Sequence, residues 1–127
     1  MDARHAHEEL IEGLYGQLKE IFENSDQAMY LYLDDVHTVC NDKFADLLRL
    51  DSPDDWASAD PSPMIFVATR SRPTLVTAYQ NAMEHYVGST INVTWQRKSG
   101  GTVDTKVILV PISYEGHLFA LHFISPS

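Results

Sequence analysis

The chain has 127 residues, 44% of them hydrophobic, which is enough for one domain with a core of its own. Eighteen acidic side chains against nine basic ones leave a formal charge of −9, which argues against a nucleic-acid surface and against docking on anionic lipid. The single cysteine, Cys40, excludes an internal disulfide; with no run near the ~20 apolar residues of a membrane span and no apolar signal core in MDARHAHEEL, a cytoplasmic location is expected.

Residues 4–22 carry a helical stripe of Leu10, Ile11, Leu14, Tyr15, Leu18, Ile21 and Phe22, with Glu8, Glu12, Lys19 and Glu20 mostly outside it. Gly13 and Gly16 each weaken that helix by roughly 1 kcal/mol relative to Ala. Asn24-Ser25-Asp26 breaks it, and AMYLYLDD reads as a strand with Tyr30 and Tyr32 on one face and Met29, Leu31 and Leu33 on the other. Asp34-Asp35 makes a turn into a short strand over residues 36–40. Asn41 is placed to cap the helix of DKFADLLRL, whose inward residues are Phe44, Leu47 and Leu48. Ser52 and Pro53 open another short helix, ended by DPSP at 60–63, and Met64 to Val67 form an apolar plug.

The longest internal helix follows Pro73. Its expected buried side is Leu75, Val76, Tyr79, Met83 and Tyr86, with Ala78 and Ala82 nearby and Gly88 as its left-handed stop. Residues 89–125 then read as three strands. Ile91, Val93 and Trp95 alternate with Asn92, Thr94 and Gln96, and Ser99-Gly100-Gly101 and Tyr114-Glu115-Gly116 supply the turns. Strands at both ends with helices between them indicate an α+β domain over residues 24–127, led by an amphipathic helix over 1–23.

Chemistry-bearing motifs are sparse. No Gly-rich phosphate loop, G-x-S-x-G or paired Glu/His spacing is present, so no catalytic residue is assigned. Six histidines invite a metal reading. However, His5 and His7 stand two apart on a helix, His117 and His122 five apart on a strand, and His37 and His85 have no acidic or histidine partner at ligand spacing. No protein-ligated metal site is expected. His122, inside the last strand, is a candidate polar contact to a ligand or else a satisfied core histidine. Arg70 and Arg72 precede the long helix, where they could meet a carboxylate or simply pair with surface acids.

The chain resembles the PAS family of sensory domains. IFENSDQAMYLYLDD resembles the family's opening, VCNDKFADLLRL its Asn-capped helix, and GSTINVTWQRKSGGTVDTKVILVPIS its paired strands joined at an Arg-Lys-x-Gly turn. The match runs over residues 21–125, and departs from the family where HFISPS replaces an Asp-Ile-Thr junction. The resemblance implies a five-stranded antiparallel sheet in the order 2-1-5-4-3, with helices over one face and a ligand cavity beneath them. It argues against haem, because Thr77 stands near the family's haem-binding histidine and His85 comes too late. A photoactive flavin is disfavoured too, because Cys40 is not where that subclass carries its cysteine.

On this frame Tyr32, Phe44, Phe66, Tyr79, Met83, Val93, Trp95, Leu109 and His122 are the candidate cavity residues, with simple core filling as the alternative. Val103, Thr105, Val107 and Leu109 would face inward, and Ile108, Val110 and Ile112 outward. That outward apolar surface needs a cover. The leading helix is its expected partner, and a homodimer is expected through Leu10, Leu14, Leu18, Ile21, Ile108, Val110 and Ile112. The expected function is a sensory domain that binds a small molecule and signals through dimer or partner contacts, with no enzymatic activity. A ligand-free interaction module is the alternative, and a small cofactor-free cavity enzyme the weaker one.

Overall fold

The structure, a computed structural model, describes the backbone of residues 3–127 and side chains from residue 6 onward; residues 1 and 2 of the expected leading helix and the His5 side chain lie outside it. Helix α1 (Ala3–Asn24) leads into β1 (Ala28–Asp34), β2 (His37–Cys40), α2 (Asp42–Leu47) and α3 (Pro53–Ala57). A 3-10 turn at Pro63–Phe66 and another at Thr69–Ser71 precede α4 (Arg72–His85), and β3 (Ser89–Gln96), β4 (Thr102–Tyr114) and β5 (His117–Pro126) close the chain. All pairings are antiparallel and the sheet order is β2-β1-β5-β4-β3, as the resemblance implies.

Local chemistry explains most of the boundaries. Asn41 Oδ1 accepts from the Phe44 N–H and so caps α2. The same oxygen accepts from the Met29 N–H, and Asn41 Nδ2 donates to the Gln27 carbonyl, so this side chain also ties α2 to β1. Pro53 starts α3, but Ser52 makes no side-chain cap bond. At the other end of α2, Arg97 Nε donates to the Leu47 carbonyl at 3.0 Å, drawing the β3–β4 turn onto that helix. The β4–β5 turn is tight, with Glu115 and Gly116 at φ 50 and 78.

Two expectations about α4 change. Tyr86, not Gly88, takes the left-handed position at φ 58 and ends the helix. Gly88 is needed for closeness instead, since a Cβ there would lie 3.0 Å from the Leu109 carbonyl oxygen. The buried side is Leu75, Ala78 and Ala82, while Val76 and Tyr86 are exposed. Small residues at 78 and 82 let α4 sit close over Leu109 and Ala120 of the sheet.

Residue alternation divides the core. Met29, Leu31 and Leu33 of β1 pack with Phe119 and Leu121 of β5 against Ile11, Leu14 and Phe22 of α1. Tyr30 of β1 faces the other way, into a cluster with Phe44, Leu48, Trp56, Val93, Trp95 and Val107 beneath α2 to α4. The leading helix therefore covers the face of the sheet opposite the other helices. It lies toward the β1–β2 side and reaches Ile112 but leaves Ile108 of β4 42% exposed.

Candidate functional site

Between α4, α3, the Pro63–Phe66 turn and the inner face of the sheet lies a cavity of about 190 Å³. Its walls are aromatic, from Tyr30, Tyr32, Trp56, Tyr79 and Trp95, and aliphatic, from Leu75, Val67 and Met64 among others. The exposed residues on its rim are Asp35 and Val76. The volume is below the ~300–1,000 Å³ of drug-sized sites and a little above the ~150 Å³ of a cavity that takes up benzene. It matches a molecule about one ring in size.

Polar groups on this wall are few, and most are already held. Trp95 Nε1 donates to Thr105 Oγ1 at 2.8 Å, and Thr105 Oγ1 in turn donates to the Val93 carbonyl. The Tyr32 hydroxyl donates to Asp35, and the Tyr79 hydroxyl to the Leu33 carbonyl at 3.3 Å. Burial pushes both phenols above their ordinary pKa, so both stay protonated donors. Trp56 differs from Trp95: its buried Nε1 has no hydrogen-bond partner. A buried N–H left unpaired costs about 1–3 kcal/mol.

His122 forms part of the same wall. Its ring stacks on Tyr30 with centroids 3.8 Å apart and planes 13° from parallel. Burial drives its pKa from 6.5 down to about 3, outweighing the backbone bonds to Ala120 and Tyr30 that would raise it. The ring is thus neutral, with Nδ1 donating to the Ala120 carbonyl at 3.1 Å. It is a fixed polarisable plate and not a proton carrier at neutral pH.

Of the nine residues expected at the cavity, Tyr32, Tyr79, Trp95 and His122 line it. Phe44 lies behind the wall, its ring against those of Tyr30, Trp56 and Trp95. Val93 and Phe66 are packed in that same aromatic cluster, and Met83 and Leu109 fill the small-residue contact under α4. These five serve as core. Sequence reasoning passed over Tyr30 and Trp56. Tyr30 was within reach, since it alternates with Tyr32; Trp56 could have been found as the one large apolar side chain of a five-residue helix.

Arg70 donates to Thr94 Oγ1 and pairs with Asp104, and Arg72 Nε donates to the Val67 carbonyl. The Arg70 contacts tie the turn before α4 to β3 and β4, and Arg72 holds the start of α4 to the segment that precedes it. Cys40 is buried, and its thiol is pushed up by burial and then by Asp42 and Asp54, which fits a packing role. The expectation that His37 has no partner is corrected: Asp34, three residues before it and across the hairpin turn, accepts from it, and His7 of α1 reaches the same carboxylate. Burial alone would raise the Asp34 pKa, but the bonds from His7, His37 and the Val36 N–H outweigh it and hold the carboxyl below its ordinary value.

No family model matches the chain and no curated protein matches its sequence. Solved structures do match. A PAS domain of an HTR-like protein from Haloarcula marismortui is similar at 18% identity, over 97% of this chain and 99% of that one, with a TM-score of 0.67. The PAS domain of a protein from Colwellia psychrerythraea is similar at 14% identity, over 90% and 97%, with a TM-score of 0.70. A LOV protein from Rhodobacter sphaeroides is similar at 11% identity, over 91% of this chain and 67% of that one, with a TM-score of 0.70. At these identities the likeness is one of fold, and the chain has the PAS fold.

Proposed function

We propose that this PAS-fold chain is a sensory domain whose cavity takes up a small, single-ring molecule carrying a hydrogen-bond acceptor. The observation that carries this reading is Trp56, a cavity-lining indole whose buried N–H lacks a partner. Its N–H is closed off from solvent, so a small turn of the indole on uptake would present it to a ligand acceptor and remove the cost of that unpaired donor. The stacked Tyr30–His122 pair would hold a flat ring, and Asp35 at the rim disfavours a carboxylate on the outward-facing end of the ligand.

Output would pass through the opposite face. Ile21 is 53% exposed and Ile108 42% exposed where α1 leaves the sheet uncovered. A second chain pairing across Ile21, Ile108 and Val110 would cover them, while Leu10, Leu14, Leu18 and Ile112 already pack within the chain or beside α1. Ligand uptake that shifts β1 or β5 would then alter that contact.

Native mass spectrometry of the purified chain, with thermal shift across a panel of single-ring metabolites, tests the reading. A stoichiometric bound mass, or a shift that Trp56→Phe abolishes, is the expected result. No bound mass and no shift would instead favour a dimerisation module whose cavity has no occupant.

A further inference from the structure

Asp34, the last residue of β1, is approached by imidazoles from two distant parts of the chain. Its Oδ2 accepts from His7 Nδ1 and its Oδ1 from His37 Nδ1, each at 2.7 Å. His7 comes from the first turns of α1 and His37 opens β2. His37 is buried, and the side chains of His7 and Asp34 are 32% and 34% exposed, so the group lies at a reachable edge of the molecule. One donor atom from each of the three residues lies within 4.8 Å of the other two. This is the one cluster of that kind among the described residues. A third imidazole, exposed His117 at the start of β5, has its ring centroid 5.7 Å from that of His7.

We propose that His7, Asp34 and His37 form a binding site for a divalent transition-metal ion of the zinc class, with His117 or a water as fourth ligand. Two imidazole nitrogens and one carboxylate oxygen are a donor set that zinc, cobalt and nickel accept. Magnesium and calcium need more oxygen ligands than this corner offers. Bonds of about 2.0–2.1 Å to a tetrahedral ion put neighbouring donor atoms roughly 3.4 Å apart. The imidazole–carboxylate pairs stand at 2.7 Å, so each ring must draw back from the carboxylate by less than ~1 Å, while the ring nitrogens, within 4.8 Å of each other, settle at the same spacing. Each neutral ring keeps one proton, carried on Nε2 once Nδ1 binds the metal. The carboxylate is also anchored independently, since Asp34 Oδ1 accepts from the Val36 N–H at 3.0 Å.

The site does not depend on the cavity having a ligand. It would pin the start of α1 to the β1–β2 turn, and through His117 to the β4–β5 turn. Its metal state would set how firmly α1 holds the outer face.

Titration of the chelator-stripped full chain with Zn²⁺ by calorimetry, and with Co²⁺ by visible absorption, tests the proposal. Expected are one ion per chain, a ligand-field spectrum of low coordination number for Co²⁺, and a rise in Tm with Zn²⁺. His7→Ala, His37→Ala and Asp34→Asn should each weaken binding about tenfold or more. His85→Ala, on exposed α4 beside Glu84, should leave it unchanged. Should His37→Ala fail to fold, the half-exposed His7→Ala decides. No Zn²⁺ or Co²⁺ binding at millimolar metal, or binding unaltered in His7→Ala, overturns the site and leaves a hydrogen-bonded cluster that only fastens the helix. Neither result bears on ligand binding at Trp56.

Discussion

Along β1, neighbouring residues serve two different interiors. Met29, Leu31 and Leu33 enter a layer under α1 that is mostly aliphatic, with Phe22 and Phe119 among them and Leu31 and Phe119 wholly buried. Tyr30 and Tyr32, one residue out of step, enter an aromatic layer that stops short of filling its space. Rings meet edge to face in both layers, as Tyr15–Phe22 and Tyr114–Phe119 do under α1, but only beneath α3 and α4 do they enclose open volume. The outer layer therefore serves stability, and the inner layer gives up some packing for a cavity.

Truncation should separate the two layers most strongly. Leu31→Ala removes a wholly buried side chain from the packed face and should cost about 3–5 kcal/mol in chemical denaturation. A cost below about 1 kcal/mol would mean that α1 does not hold that face closed.

Overpacking sharpens the comparison. Leu31→Phe should cost about 1–3 kcal/mol, because the outer layer has no room. Leu75→Phe, at the cavity, should cost less than about 1 kcal/mol or stabilise, since the added ring enters a space of about 190 Å³. The same change should block ligand uptake. Equal penalties at the two positions would break the distinction.

Acid should act through the inner layer. Folded His122 refuses a proton until about pH 3, while the unfolded chain takes one up near 6.5. Stability from this residue is therefore fully present above pH 6.5 and falls as the pH drops, by about 1.4 kcal/mol per unit. Between pH 6.5 and 5 the wild type should lose about 2 kcal/mol more than His122→Phe, measured by urea unfolding at each pH. Parallel curves would show that His122 is not held neutral. The difference between the two proteins, not either curve alone, isolates it from every other group that titrates.

The smallest effects lie on α1. A Cβ at Gly16 meets nothing within 4 Å, so Gly16→Ala should stabilise by about 0.5–1 kcal/mol. At Gly13 a Cβ would lie 2.5 Å from the Tyr114 hydroxyl, so Gly13→Ala should lose that gain or destabilise, in the same thermal melt. A gain at both positions would place α1 farther from β4 than described.

Much of the frame was legible because it depends on alternation and capping, which are local. The two-residue period of AMYLYLDD placed Leu31 and Tyr32 on opposite faces, and Asn41 announced α2. The cavity was less legible because a void is set by how side chains from four elements fail to meet. Phe44 and Trp95 look alike in sequence, yet one backs the wall and the other lines it. Tyr86 carries the left-handed turn, and Gly88 serves a close approach to Leu109, a tertiary constraint with no local sign. The meeting of His7, Asp34 and His37 escaped spacing rules for the same reason: α1 folds back over the β1–β2 turn.

Ligand uptake depends most on Trp56. Its two indoles give this chain a built-in control, since Trp95 Nε1 is bonded to Thr105 and Trp56 Nε1 is not. Two-dimensional ¹⁵N–¹H spectra recorded while single-ring acceptor compounds are titrated in should show the Trp56 indole N–H moving downfield with saturation and farther than that of Trp95, while the residues facing α1 hold nearly still. An unmoving Trp56 signal across the panel, or shifts confined to the α1 face, would contradict the account.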